Sequence, residues 1–261
     1  MIRNYHTHTT RCRHARGTER EFIERAIADG RKVIGFSDHS PYIFPDGYYS
    51  TFRMYPRELE GYVTTILALK EEYRRDIEIH VGLEMEYYPE LFEKTIRFME
   101  DYPLEYAILG QHCLGNEMGE HYSGTYTEDP ALLRRFVDQV IEAIRVGRWL
   151  YIAHPDIFNF PADRPVYKEE MRRLCVAAKE QGVPLEINLL GLSTHRNYPN
   201  HAFWEIAAEV GNVTVLGEDA HWIDVPFPKE AEETALSWVR ELGLDLTDSF
   251  ALAPWKHIGL R

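Results

Sequence analysis

The 261-residue chain is predicted to fold as a single α/β domain, a closed (β/α) barrel. Three observations lead there. Short apolar runs rich in β-branched and aromatic residues alternate with amphipathic stretches that carry helix start and stop signals, which implies parallel strands joined by right-handed crossovers. Seven such runs suit one barrel of this length. No glycine-rich phosphate turn follows the first run, so the main sign of an open doubly wound sheet is missing.

The elements read as follows. IRNYH (2–6) is the first strand. TEREFIERAIADG is a helix, with Thr18 as N-cap, Glu21 in the capping-box position and Gly30 as its stop. KVIGFSD (32–38) is the second strand, and Pro56 opens the helix PRELEGYVTTILALKEEYRR. IEIHVGLE (77–84) and YAILGQH (106–112) are the third and fourth strands. A helix runs from an Asp-Pro start through DPALLRRFVDQVIEAIRVG to Gly147 and leads to a fifth strand, WLYIAHP (149–155). KEEMRRLCVAAKEQG is a helix ending at Gly182, PLEINLL (184–190) the sixth strand, HAFWEIAAEVG a helix ending at Gly211, and VTVLGED (213–219) the seventh strand.

Composition narrows the function classes. Apolar residues make up 44% and charged residues 27%, an ordinary globular balance. A net charge of −13 argues against a general nucleic-acid binder. It leaves an anionic substrate open, because bound cations supply positive charge that a side-chain count misses. The three cysteines, Cys12, Cys113 and Cys175, are odd in number and have no paired spacing. They point to a reducing cytoplasm rather than a disulfide framework. The opening MIRNYHTHTT has no apolar core of a secretory signal, and no run approaches 18 apolar residues, so no membrane span is expected.

The polar residues sit where the apolar runs stop. His6 and His8 are two apart at the end of the first strand, so their side chains point to one side and can converge on one ion. The second strand ends in Asp38 and His39, the third in Glu84 and Glu86, and the fourth in His112. The fifth ends in His154 and Asp156, and the seventh in Asp219 and His221, the same i, i+2 geometry as His6 and His8. In a barrel these ends share one rim, where active sites form. So many imidazoles and carboxylates gathered there would be costly without a cation. The expectation is a multinuclear metal site.

In chain order the H-x-H, R-H, D-H, G-x-E, Q-H, A-H-P and D-x-H elements resemble the PHP family, named for its polymerase and histidinol phosphatase members, over nearly the whole chain. GFSDHSPY…FRM resembles the histidinol-phosphatase branch. The resemblance implies a distorted (β/α)7 TIM-like barrel in which residues 1–261 form a single phosphoesterase domain, with three divalent metal ions at its C-terminal rim. One ion would take His6, His8, Glu84 and Asp219. The second would take Glu84 as a bridge with His112 and His154. The third would take His14, His39 and His221. The G-L-E placement favours Glu84 over Glu86 as the bridge. Mixed nitrogen and oxygen ligands suit Zn, Mn or Fe alike. No cysteine stands in a ligand slot; Cys113 would point away from His112, and Asp38 would orient a ligand imidazole.

The implied activity is hydrolysis of L-histidinol phosphate to L-histidinol and inorganic phosphate in histidine biosynthesis, in the cytoplasm. The expected step is attack on phosphorus by a hydroxide bridging two metals. Glu84, Asp219 and His221 would be catalytic, with Asp219 or His221 managing the proton. Arg164 and Arg196 follow rim positions and suit phosphate oxygens. His195, beside Arg196, is a weaker substrate candidate. Glu117 and Glu120 could meet the histidinol cation. The partner is then a small phosphate monoester, with neither nucleic acid nor membrane, while the oligomeric state stays open. The alternatives are another small ester such as a nucleotide or sugar phosphate, an accessory module acting on nucleic-acid ends, and an amidohydrolase-type barrel. No lysine stands at a strand end to serve the last of these.

Overall fold

The structure is a computed structural model that describes residues 1, 3–119, 121–147, 149–225, 227–250 and 252. It contains β1 (Arg3–Asn4), α1 (Glu19–Ala28), β2 (Val33–Phe36), α2 (Leu59–Glu72), β3 (Glu78–Met85), α3 (Pro89–Met99), β4 (Tyr106–Leu109), α4 (Pro130–Val146) and α5 (Pro165–Glu180). After these come β5 (Leu185–Asn188), α6 (Leu189–Ser193), α7 (His201–Val210), β6 (Val213–Gly217), α8 (Lys229–Leu242) and β7 (Asp245–Leu246).

All strand pairs are parallel. One sheet runs β1-β2-β3-β4 and the other β5-β6-β7. Two joints link them. At the first, Ile152 bridges Leu109 on one side and Leu185 on the other. Leu109 N donates to Tyr151 O (3.0 Å), and Glu186 N donates to Ile152 O (3.0 Å). At the second, Thr7 bridges Ala220, with His8 N donating to Ala220 O (2.9 Å) and Ala220 N to His6 O (3.1 Å). The curled sheet therefore closes on itself as a distorted seven-membered ring. This bears out the expected (β/α)7 barrel.

The expected fifth strand is shorter than its sequence suggests. WLYIAHP contributes one ladder rung on each side at Ile152 and no regular strand, because the backbone leaves the ladder at His154, which has a φ of 32°. β7 was not foreseen and pairs outside the ring, with Val213 and Thr214. Helices α3, α6 and α8 are also additions to the sequence reading.

Side chains alternate across the strands as a pleat requires. Tyr5, Val33, Tyr106, Ile108, Tyr151, Ala153 and Val215 form a small inner cluster, with Phe250 and Leu252 packed against it. The outward residues, such as Ile34, Phe36, Ile79, Val81, Leu83 and Leu109, join the large cluster beneath the helices. On β3, His80, Gly82 and Glu84 share the opposite face from Ile79, Val81 and Leu83. Gly82 must be small, because a Cβ there would meet the Tyr106 ring. The inner cluster fills the lower part of the ring, and the polar strand ends crown it.

Candidate metal centre and active site

Each strand end places its polar residues by a local device. Asn4 clasps the chain after β1, accepting from His6 N (3.1 Å) and donating to His6 O (3.2 Å). His6 and His8 are thereby held pointing inward, fully buried. Glu84, near the end of β3, enters the ring over Gly110, where a Cβ would collide with its carboxylate. His154 and Asp219 have positive φ values of 32° and 54°, a conformation that His and Asp tolerate better than most residues and that clusters at functional sites.

These residues meet. Glu84 Oε2 lies 3.6 Å from His6 Nε2, 3.5 Å from His8 Nε2 and 3.1 Å from His39 Nδ1. Glu84 Oε1 lies 3.0 Å from His154 Nε2 and 3.7 Å from His112 Nε2. Asp219 Oδ1 lies 3.4 Å from His6 Nε2 and 3.2 Å from His8 Nε2. His14 and His221 approach through their Nε2 atoms at 3.0 Å.

This donor set fits divalent cations. His6 Nε2, His8 Nε2, His39 Nδ1, Glu84 Oε2 and Asp219 Oδ1 are all buried without a hydrogen-bond partner, a costly state unless something else satisfies them. Their separations of 3.1–3.6 Å match the edge of a tetrahedron whose ligands stand 2.0–2.1 Å from an ion, about 3.3 Å. Groups able to hold an ion include His6, His8 and Asp219; His6, Glu84 and His154; and His14, His39 and His221. The group of His8, Cys12 and His221 also qualifies, although no cysteine was expected near a ligand position.

Electrostatics agree. Burial opposes charge on His6, but Glu186, Asp219 and Glu84 outweigh it and hold its pKa up to about 10. Burial likewise opposes charge on Glu84 and Asp219, yet the surrounding imidazoles keep both carboxyls well below their ordinary range. Burial, aided by neighbouring histidines, pushes His39 and His221 down, so both imidazoles are neutral at pH 7. A proton and a cation compete for the same nitrogens, and the carboxylates favour either.

Outer partners fix the imidazoles. His112 Nδ1 pairs with Glu86 Oε1 (2.8 Å), and Glu86 in turn accepts from Arg53 (2.9 Å). This separates the two candidate bridges: Glu84 faces the centre, whereas Glu86 stands behind His112. Asp38 Oδ1 lies 3.5 Å from His8 Nδ1, and its other oxygen accepts from Thr9 N. His6 Nδ1 pairs with Glu186 Oε1 at 2.7 Å. Cys113 is packed with Tyr42 and Tyr88, away from the centre.

The centre opens on a cavity of about 420 Å³ lined by His14, His39, Thr51, Phe52, Glu84, His112, Tyr122, His154, Arg196, Tyr198, Asp219, His221 and Trp222. Of the two candidate arginines, Arg196 lines it, donating to Tyr198 OH (2.6 Å). Its loop is drawn close by Gly191, where a Cβ would strike the Tyr198 backbone. Arg164 does not reach the cavity: it precedes α5 and pairs with Glu128 at 2.8 Å, both side chains more than half exposed. Glu117 is likewise diverted, its carboxylate held by the buried Arg53 at 2.7 Å. Glu120 lies outside the described residues, and His195 faces a separate surface groove with Arg25 and Lys229. Sequence reasoning missed Glu186, Asn188, Arg53, Phe52, Tyr122, Tyr198 and Trp222. Glu186 and Asn188 carried the same i, i+2 polar signature at a strand end as His6 and His8.

Comparisons place this geometry among known proteins. The sequence profile described as PHP domain matches residues 4–189. A probable histidinol-phosphatase of Deinococcus radiodurans is 32% identical over 227 residues, covering 83% of this chain and 85% of that protein. The histidinol-phosphatase of Bacillus subtilis is 26% identical, covering 88% and 97%. In fold, the chain superimposes with a TM-score of 0.74 on a histidinol phosphate phosphatase from Lactococcus lactis complexed with zinc, L-histidinol and phosphate. That structure is 19% identical, and the match covers 100% of this chain and 98% of the other.

Proposed function

Because the chain belongs to the PHP domain family, we propose that it is a histidinol-phosphatase, a metal-dependent phosphomonoesterase that hydrolyses L-histidinol phosphate to L-histidinol and inorganic phosphate. The named relatives in Deinococcus radiodurans and Bacillus subtilis support the substrate. The observation that carries the metal dependence is the set of five buried, unpartnered ligand atoms beside the cavity. Residues 1–261 act as one phosphoesterase domain, a reading supported by the ring that closes between Thr7 and Ala220.

The ligand sets are those the sequence suggested: His6, His8, Glu84 and Asp219; Glu84, His112 and His154; and His14, His39 and His221. Zn, Mn or Fe in these sites would activate water for in-line attack on phosphorus and neutralise the equatorial oxygens. Arg196, in the lining of the same cavity, binds the phosphoryl group, its planar fork matched to two oxygens. Asp219 and His221 sit together, with Asp219 Oδ1 3.2 Å from His221 Nδ1, placed to take the proton that the attacking water gives up and return it to the leaving alkoxide. Phe52, Tyr122 and Trp222 give the leaving group an aromatic wall, which suits an imidazole-bearing alcohol.

No helix among the described residues is long and apolar enough to cross a membrane, and the free, buried Cys12, Cys113 and Cys175 suit a reducing cytoplasm. The acidic net charge supports a small-molecule substrate over nucleic acid. The test is phosphate release from L-histidinol phosphate, from nucleotide and sugar phosphates and from a generic aryl phosphate, together with elemental analysis, before and after chelation. Strong preference for histidinol phosphate, lost with the metals and restored by their return, is expected. Equal turnover of all the esters would leave only a general phosphoesterase, and turnover indifferent to chelation would overturn the proposal.

A further inference from the structure

Within the ring, β5 contributes no ligand in the proposed sets, yet its end is buried and polar. Glu186 and Asn188 are both fully enclosed. Glu186 Oε1 holds His6 Nδ1 at 2.7 Å. Its other oxygen accepts from His154 N at 2.9 Å and from Asn188 Nδ2 at 3.0 Å. Asn188 Nδ2 also lies 3.1 Å from Asp219 Oδ2. With both oxygens engaged and no wall of the cavity formed by it, Glu186 is not itself placed as a ligand.

We infer that Glu186, with Asn188, is a positioning residue that sets two of the three proposed cation sites together. It orients His6 of the first site and the strained backbone of His154 in the second, and through Asn188 it reaches Asp219 of the first. These three residues come from three different strand ends, so one carboxylate registers them against each other. Residue 217 is glycine because a Cβ there would collide with Glu186 Oε1, which shows how closely the β6 backbone is fitted to this carboxylate. The site of His14, His39 and His221 has no contact with Glu186. The inference rests on the three-site reading above.

The experiment is zinc titration of metal-free protein against a chromophoric chelator, comparing wild type with Glu186→Gln and with Glu86→Gln. Outer partners of metal-bound histidines are worth about 10–100-fold in affinity. Glu186→Gln is expected to weaken two ions by that factor and leave the third unchanged. Glu86→Gln, which touches only His112 among the ligands, is expected to weaken one. Gly217→Ala, which drives the carboxylate off His6 without altering it, should reproduce the Glu186→Gln pattern and serves if that variant is too unstable to purify. Equal affinities in variant and wild type, or uniform weakening of all three ions, would overturn the inference. A wild type that binds no zinc would instead remove the three-site reading, and this inference with it.

Discussion

At the scale of single residues, Glu84 holds the centre, because its two oxygens face five imidazoles. Glu84→Gln should cost more than about 100-fold in metal affinity, since even outer partners are worth ~10–100-fold; elemental analysis after dialysis reads this directly. Arg196→Lys keeps the charge and loses the fork. Its KM for histidinol phosphate should rise about tenfold, roughly 1.4 kcal/mol of binding, with bound metal unchanged by elemental analysis. The proposed ligands at strand ends were legible because polar pairs break apolar runs there, and a strand end has few structural uses for a histidine; His14, which ends no strand, was assigned through the family resemblance. The choice of arginine was not legible. Arg164 and Arg196 both follow rim positions in sequence, and only the close approach at Gly191 decides which loop folds over the cavity.

At the scale of elements, the polar contacts between α2, β3 and the segment leading into β4 make stability depend on acid. Glu105 accepts from Lys70 Nζ (2.7 Å) and Val81 N (3.0 Å) and pairs with His80 Nδ1 (3.1 Å). Burial opposes its ionisation, but His80, Lys70 and the Val81 amide outweigh it and hold its pKa down to about 2. An unfolded glutamate titrates near about 4.3. The folded state therefore gains from this group above that pH and loses the gain as pH falls toward 2. Denaturant midpoints measured from pH 6 to pH 2.5 should fall less steeply for Glu105→Gln than for wild type. Helices with strong punctuation, such as α1 with its Thr18–Glu21 capping box, were legible. α8 was passed over although Ala231, Ala235, Trp238, Val239 and Leu242 form one apolar stripe. The weakly marked α6 was not legible. α6 is five residues long, and its Asn188 N-cap sits inside what reads as a continuous strand. α3, by contrast, had readable signals in Pro89 and the spacing of Phe92, Ile96 and Met99.

At the scale of the whole molecule, the proposed ligands are drawn from six strand ends, which would make the cations part of the fold. An ion held at 100 times its Kd adds about 2.7 kcal/mol, which for a chain of this size corresponds to a rise of roughly 5–10 °C. Calorimetry with and without chelator should show a fall of at least that size on stripping, reversed by zinc. An unchanged transition would mean that the cluster stands without cations. The barrel was legible as a rhythm of seven units, but its closure was not. The joint between Thr7 and Ala220 rests on backbone amides, which carry no side-chain signature. That joint has a consequence for synthesis. His6 and His8 leave the ribosome more than two hundred positions ahead of Asp219 and His221. A nascent chain must hold those two histidines in reserve while the intervening length is made. Until the segment after β6 arrives, the ribosome-bound intermediate offers only fragments of a chelating pocket, so full metal loading must wait for it.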